Sequence, residues 1–161
     1  IILGPALTSQ GLDIVASHLF ILYWGMLSYI TPPVALAAVV AAGIAGSGGM
    51  RTGMRAMRLG SVLFLLPFAF VLNPALILRG EPLEVLQAVC TAGLAIWLIS
   101  AAFEGYLHFV KRLSGWMRIL AGVAGVTLLI PEGHSDLIGL ALAAVLIGVG
   151  LLRRPGTGAP A

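Results

Sequence analysis

Apolar runs close to the thickness of a lipid bilayer's hydrocarbon core follow one another from Leu12 to Leu152, separated only by short polar interruptions. A helix needs roughly 20 apolar residues to cross that core. Lipid offers no partner for backbone N–H and C=O groups, so runs of this kind are read as helices. The alternating segments of ~10 residues that mark an outer-membrane barrel do not occur in the sequence. Composition agrees: 60% of the 161 residues are hydrophobic and 9% are charged, against about 25% charged in a typical soluble domain. An ordinary soluble domain, a disordered chain and a nucleic-acid-binding module are excluded. The pI near 9.6 rests on a formal net charge of only +3. In an apolar chain a small basic excess is a topology signal, because cytoplasmic loops collect Lys and Arg.

The first run, Leu12 to Ala45, is too long for one straight crossing. It is interrupted by Ser28-Tyr29-Ile30-Thr31-Pro32-Pro33. Neither proline carries an N–H, and Pro32 pushes Thr31 away from the helical region. The pattern predicts one crossing over 12–46, broken at Ser28–Pro33 into two half-helices. A Gly46-Ser47-Gly48-Gly49 loop opens a basic segment, 47–58. There Arg51, Arg55 and Arg58 recur at helical spacing beside Met50, Met54 and Met57, as in a helix lying at the headgroup level. Four more crossings are predicted within 59–152: Leu59–Leu78, Leu83–Val110, Trp116–Ile130 and Leu137–Leu152. The polar tail 153–161 reads as disordered. The opening Ile1–Leu7 reads as the middle of a hydrophobic element, with no charged leader or signal-peptide cleavage site. That predicts the C-terminal part of a longer protein. The fold class is therefore all-α: a polytopic integral membrane protein with a discontinuous transmembrane helix.

Charge checks the helix count. Arg51, Arg55 and Arg58 precede the second run, and Lys111, Arg112 and Arg118 lie in a later loop, as do Arg153 and Arg154 at the end. Between them fall Glu81 with Glu84, and Glu132 with Asp136. Basic and acidic loops alternate, with Arg79 the one basic residue on the acidic side. Basic loops and the C-terminus are therefore placed in the cytoplasm and Asp13 outside.

The Ser28–Pro33 break is where chemistry concentrates. Unwound backbone at membrane depth is tolerated only inside protein or against a wet cavity. Transporters use such breaks, with helix N-termini facing anions and freed carbonyls holding Na⁺. Here carbonyls from Gly25 to Thr31, with the Ser28 and Thr31 hydroxyls, would supply oxygens suited to a hard cation. The half-helix after Pro33 would turn its positive end toward the break. The pattern is equally that of a simple proline kink.

Gly25-Met26-Leu27-Ser28-Tyr29-Ile30-Thr31-Pro32-Pro33-Val34-Ala35-Leu36-Ala37 resembles a signature of the large membrane subunit of TRAP (tripartite ATP-independent periplasmic) transporters, in particular the fused permeases of the TAXI type. Ala16-Ser17-His18-Leu19-Phe20, Ala41-Ala42-Gly43-Ile44-Ala45, Arg51-Thr52-Gly53, Arg58-Leu59-Gly60 and Pro67-Phe68-Ala69-Phe70-Val71-Leu72-Asn73-Pro74-Ala75-Leu76 are similar too. The resemblance covers about Gly4 to Gly80. It implies a Na⁺-coupled importer of organic acids (carboxylates) that works with a periplasmic substrate-binding protein. It also implies an elevator-type fold of inverted repeats, re-entrant hairpins and broken helices. By that likeness 1–11 would end a hairpin. Gly25, Ser28 and Thr31 would be Na⁺ ligands, and Ser28, Thr31 and Pro32 would approach the substrate. Na⁺ would be the coupling ion, with no other cofactor. Partners would be the binding protein, the rest of the same polypeptide, a small organic anion and the bilayer of a bacterial inner membrane. The other function class is a non-transporting membrane scaffold or assembly subunit, in which a kink and close-packed small residues suffice.

The remaining polar residues read more plainly. His18 is either a polar packing residue or part of a substrate path. Glu104 and His108, four apart, read as an interfacial pair rather than a proton relay. Asn73-Pro74 reads as a helix end rather than a polar hinge, and Trp116 marks an interface. Cys90 alone makes no disulfide framework and no Cys-based zinc site. An enzyme is not indicated: Ser47 has no His–acid pair placed to activate it, and His18, His108 and His134 lack metal-ligand spacing. Gly43–Gly49 lacks the Lys-Ser/Thr ending of a phosphate loop.

Overall fold

The structure, a computed structural model, describes residues 2–107, 110–131 and 133–152. His108, Glu132, Arg153, Arg154 and the 153–161 tail lie outside the described residues. Helices dominate: α1 (Leu3–Thr8), α2 (Ile14–Leu27), α3 (Leu36–Ile44), α4 (Gly49–Leu59), α5 (Ser61–Leu72), α6 (Pro82–Glu104), α7 (Gly115–Thr127) and α8 (Gly133–Leu152), with a short 3₁₀ helix at Pro74–Ile77. One two-stranded antiparallel ladder joins β1 (Tyr106–Leu107) to β2 (Lys111–Arg112), pairing Tyr106 with Arg112 and Leu107 with Lys111. Among the described residues two helices are long and apolar enough to cross a membrane, Pro82–Glu104 and Gly133–Gly150. The pair α4 and α5, bent by 45° at Gly60, meets the same test when taken together. Helices α2 and α7, of 14 and 13 residues, are shorter than the roughly 20 residues of a full crossing. The chain is a mostly helical membrane protein.

The chain divides into two compact units, Ile1–Ala92 and Gly93–Ala161. In the first, Asp13 starts α2: its Oδ1 accepts from the Val15 and Ala16 N–H groups at 2.8 and 3.0 Å. Those are two of the donors a helix start leaves without partners. Helices α2 and α5 run antiparallel, Phe20 meeting Phe68 at 5.2 Å between ring centres and Trp24 meeting Phe64 at 6.2 Å. The buried residues of these two helices are mostly small, Ala16 and Ser17 on α2 and Ser61 and Ala69 on α5, with Leu27 and Pro67 the larger ones. Small residues let membrane helices approach closely. The Ser17 hydroxyl is fully buried and has no partner among the described residues. Arg79, beyond the 3₁₀ helix, donates to Asp13 Oδ2 at 2.8 Å. The one basic residue on the acidic side of the charge pattern is thus half of an ion pair.

In the second unit Leu98, Ala101, Leu107, Met117, Ala121, Ala124, Leu128 and Leu146 form a continuous apolar core. The backbones of α6 and α7 come close at Gly125, where a Cβ would lie 2.6 Å from Ile99 Cγ1 and 2.9 Å from the Ala95 carbonyl oxygen. Helix α6 stops at Glu104, short of the Val110 at which its apolar run ends, because Gly105 takes a left-handed φ of 72°. Such a glycine closes helices at little steric cost. The Arg118 guanidinium then donates from Nε to the Ala102 carbonyl at 2.8 Å and from Nη2 to the Phe103 carbonyl at 2.9 Å. A cation on the last free carbonyls also suits the negative end of the helix dipole. The all-α expectation thus acquires one small hairpin. Tyr106 and Leu107 are residue types that sit well in strands once a helix has been ended.

Candidate functional site

The helical ladder of α2 ends at Leu27 and that of α3 begins at Leu36. Between them the backbone tightens and then opens. The Tyr29 and Ile30 N–H groups reach back only three residues, to the Met26 and Leu27 carbonyls, each at 3.1 Å. Pro32 and Pro33, joined by a cis peptide bond, contribute no donors. The Ala35 N–H donates to the Thr31 carbonyl at 2.9 Å, and the Ala37 N–H closes the segment on the Tyr29 carbonyl at 3.0 Å. The Ser28, Ile30, Pro32 and Pro33 carbonyls accept from no backbone donor among the described residues.

The sequence-derived candidates take up distinct places around this segment. The Gly25 carbonyl accepts the Ser28 hydroxyl proton at 2.6 Å, so these two are in direct contact. Thr31 turns elsewhere, its hydroxyl donating to the Leu27 carbonyl at 2.7 Å. In both hydroxyls the proton is committed to the backbone, which leaves the oxygen lone pairs as the remaining binding capacity. Ser28 is exposed, while Thr31 and Pro32 are half-buried. Among the described residues no three His, Cys, Asp or Glu side chains gather as a metal site. The oxygens on offer near the break are neutral carbonyls and hydroxyls, a donor set of the hard-cation type. Helix α3 begins without a side-chain cap, so its first N–H groups are left unsatisfied by side chains at the end of the same segment.

Other polar residues lie apart from the break. The His18 ring donates from Nδ1 to the Ile14 carbonyl at 2.7 Å, and its Nε2 lies against Gly4 of α1. Trp24 joins Phe20, Phe64 and Phe68 in an aromatic cluster on the α2–α5 seam. Cys90 is exposed on α6. Ser47 shares a 2.8 Å hydrogen bond with the Thr52 hydroxyl, an arrangement of loop and helix start rather than of an activated nucleophile.

Sequence reading passed over two features. Ala35, buried to 3% exposure, has φ 36° and ψ 45°. This left-handed conformation costs a residue with a Cβ about 1–2 kcal/mol. The second feature is the face of α4 turned toward the break. A Cβ on Gly53 would lie 2.7 Å from Pro32 Cγ, and one on Gly60 would lie 2.9 Å from Ile30 Cδ1. The spacing of Gly49 and Gly53, a small residue on each of two successive helical turns, carried a signal for that close approach.

One family model matches the chain, that of the tripartite ATP-independent periplasmic transporter, DctM component, over residues 1–81. No curated protein and no solved structure matches it. The match spans the stretch that carries the quoted motifs, including the whole of the break and helices α1 to α5. The chain therefore belongs to the DctM family, the large membrane component of TRAP transporters, a transporter family and not an enzyme family.

Proposed function

We propose that this chain is part of a Na⁺-coupled permease importing small organic acids across a bacterial inner membrane, fed by a periplasmic substrate-binding protein. In this reading it is the C-terminal part of a fused, TAXI-type large subunit, with its C-terminus in the cytoplasm. The observation that carries the proposal is the segment between α2 and α3, in which the Ser28 and Ile30 carbonyls have no backbone donor among the described residues and the same few residues carry the Ser28 and Thr31 hydroxyls. Unpaired carbonyls at membrane depth are costly unless something polar meets them. Na⁺ fits that need: it is a hard cation that takes neutral oxygens. Gly25 contributes by holding the Ser28 hydroxyl in place, and Pro32 keeps the next turn from becoming helical. An organic carboxylate would find favourable potential at the positive N-terminal end of α3, where no side chain caps the helix.

The test is uptake of labelled carboxylates into proteoliposomes by the complete permease with its binding protein, titrated with Na⁺. Thr31→Val keeps the shape of the side chain but removes its oxygen. It should raise the half-saturating Na⁺ concentration about tenfold, corresponding to about 1.4 kcal/mol. Uptake indifferent to Na⁺, before and after the substitution, would remove the reading. The scaffold alternative has its own outcome. Placed in a Cys90→Ser background, Ser28→Cys should react with a water-soluble thiol reagent if the break is wet, and stay inert if the segment is only a packed kink.

A further inference from the structure

We infer that helix α4 holds the break in its binding-ready shape, and that Gly53 is the positioning residue through which it does so. The inference rests on the transport reading above and goes beyond it by assigning a role to an element that supplies no ligand oxygen. The argument starts from strain. Ala35 stands in a left-handed conformation that its own side chain disfavours, and the Pro32–Val34 turn beside it has few hydrogen bonds of its own. Local bonding does not account for such a backbone, so neighbouring packing must hold it. Ala35 is nearly fully buried, and Gly53 of α4 packs against it.

The fit at that surface depends on a missing side chain. A Cβ at position 53 would meet Pro32 Cγ at 2.7 Å, Pro32 Cδ at 3.3 Å and Ala35 Cβ at 3.4 Å. Real Cβ atoms do not approach ring carbons so closely; a change of ring pucker can shift Cγ, but Pro32 Cδ and Ala35 Cβ are bonded directly to the backbone and cannot withdraw without it. An added methyl group must therefore displace the 32–35 backbone, or α4, by some tenths of an ångström. Gly49 and Gly60 extend the same face, meeting Val39 and Ile30. Contact of this kind is specific within unit one, since a Cβ on Gly43 or on Gly48 would meet nothing within 4 Å. Thr31 and its carbonyl are bonded neighbours of Pro32, so a displaced proline ring moves the candidate ligands directly.

Two readouts test this in the complete permease. The first needs no Na⁺ coupling: the thiol-labelling rate of Ser28→Cys in a Cys90→Ser background, measured in Na⁺-free buffer with and without Gly53→Ala. The second is the half-saturating Na⁺ concentration for uptake, separated from the maximal rate. Gly53→Ala should change the labelling rate at least about fivefold. It should raise the half-saturating Na⁺ concentration by a similar factor while the maximal rate falls less than twofold. Gly48→Ala should leave both within twofold. Pro32→Ala removes the Cγ and Cδ atoms that a Cβ at 53 would strike, so in that background the added effect of Gly53→Ala should shrink below twofold. The Pro32→Ala pair also keeps the test open should Gly53→Ala alone fail to fold. Unchanged labelling on Gly53→Ala would overturn the inference, as would an equal effect with and without Pro32. A labelling change in a protein whose uptake ignores Na⁺ would uphold the positioning role and sink the Na⁺ reading instead.

Discussion

The two compact units bury different things. In Ile1–Ala92 most of the buried side chains are small: Ala16, Ser17, Ala35, Ala38, Ala42, Ser61, Ala69, Ala75, Ala88 and Ala92, with Leu27 and Pro67 the larger exceptions. In Gly93–Ala161 they include Leu98, Leu107, Met117, Leu128 and Leu146, gathered in one core, and Ile99, which lies against Gly125. The first unit carries the proline break, a left-handed alanine, an orphaned serine hydroxyl and the family match. The second holds α8 and the end of α6, which is closed by the left-handed Gly105 and by Arg118 on its last carbonyls. Small residues bring backbones together and so let backbone atoms, not side chains, line a site. Aliphatic interdigitation fixes a shape but presents nothing polar. The contrast teaches that the proline break sits in the unit whose small residues let backbones approach closely, while the second unit rests on side-chain interdigitation. In the intact protein, substitutions in the second unit should therefore change stability without touching Na⁺ dependence.

The largest such effect is expected at Gly125. Valine there would drive its Cβ into Ile99 and, less forgivingly, toward the Ala95 carbonyl oxygen on the neighbouring backbone. Overpacking of this kind costs about 3 kcal/mol. Thermal unfolding in detergent should show a clearly lowered midpoint for Gly125→Val. The half-saturating Na⁺ concentration of the surviving protein should stay at the wild-type value. If Na⁺ affinity moved as much as stability, the separation between the units would be broken.

Arg118→Met comes next. The substitution keeps most of the aliphatic stem and removes the two hydrogen bonds to the Ala102 and Phe103 carbonyls. Hydrogen bonds from a charged group contribute more than neutral ones, and this group is half exposed, so a loss of about 1.5 kcal/mol is expected. Hydrogen exchange at the end of α6 should rise before exchange in its middle does. Uniform protection would mean that Gly105 alone terminates the helix.

This end of α6 also marks the limit of what could be read from residues alone. Apolar periodicity over Leu83–Val110 does not say where a helix stops, because Tyr106, Leu107 and Val110 are as apolar as the residues before them. The stop is made by Gly105 together with Arg118, which arrives from the next helix, and a contact across 16 residues leaves no local signature. The break at Ser28–Pro33 was legible for the opposite reason: proline acts on its own neighbours. The chemistry of Gly25, Ser28 and Thr31 was visible as residue type, but their bonding was not. Nothing in the sequence says that both hydroxyl protons go to carbonyls, at Gly25 and Leu27. The spacing of Gly49 and Gly53 hinted at a close approach by some neighbour, but that the neighbour is Pro32 shows only in the structure.

The smallest expected effect lies back in the first unit, at the Asp13–Arg79 pair, and it separates two functions of one carboxylate. Asp13 Oδ1 caps α2 and Oδ2 meets Arg79, whose side chain is 55% exposed. An exposed ion pair contributes less than about 1 kcal/mol, whereas loss of an aspartate cap costs typically about 1 kcal/mol by itself. Asp13→Asn keeps an oxygen for the cap and gives up the charge, so it should match Arg79→Ala, and both losses should shrink at high salt. Asp13→Ala removes both contributions and should cost about 1 kcal/mol more than either, with that increment unaffected by salt. Unfolding midpoints of the three variants at low and high ionic strength decide the matter. Equal losses for Asp13→Asn and Asp13→Ala would show that charge, not the cap, starts α2. The charged corner of the first unit would then depend on long-range electrostatics, where its interior depends on close backbone contact.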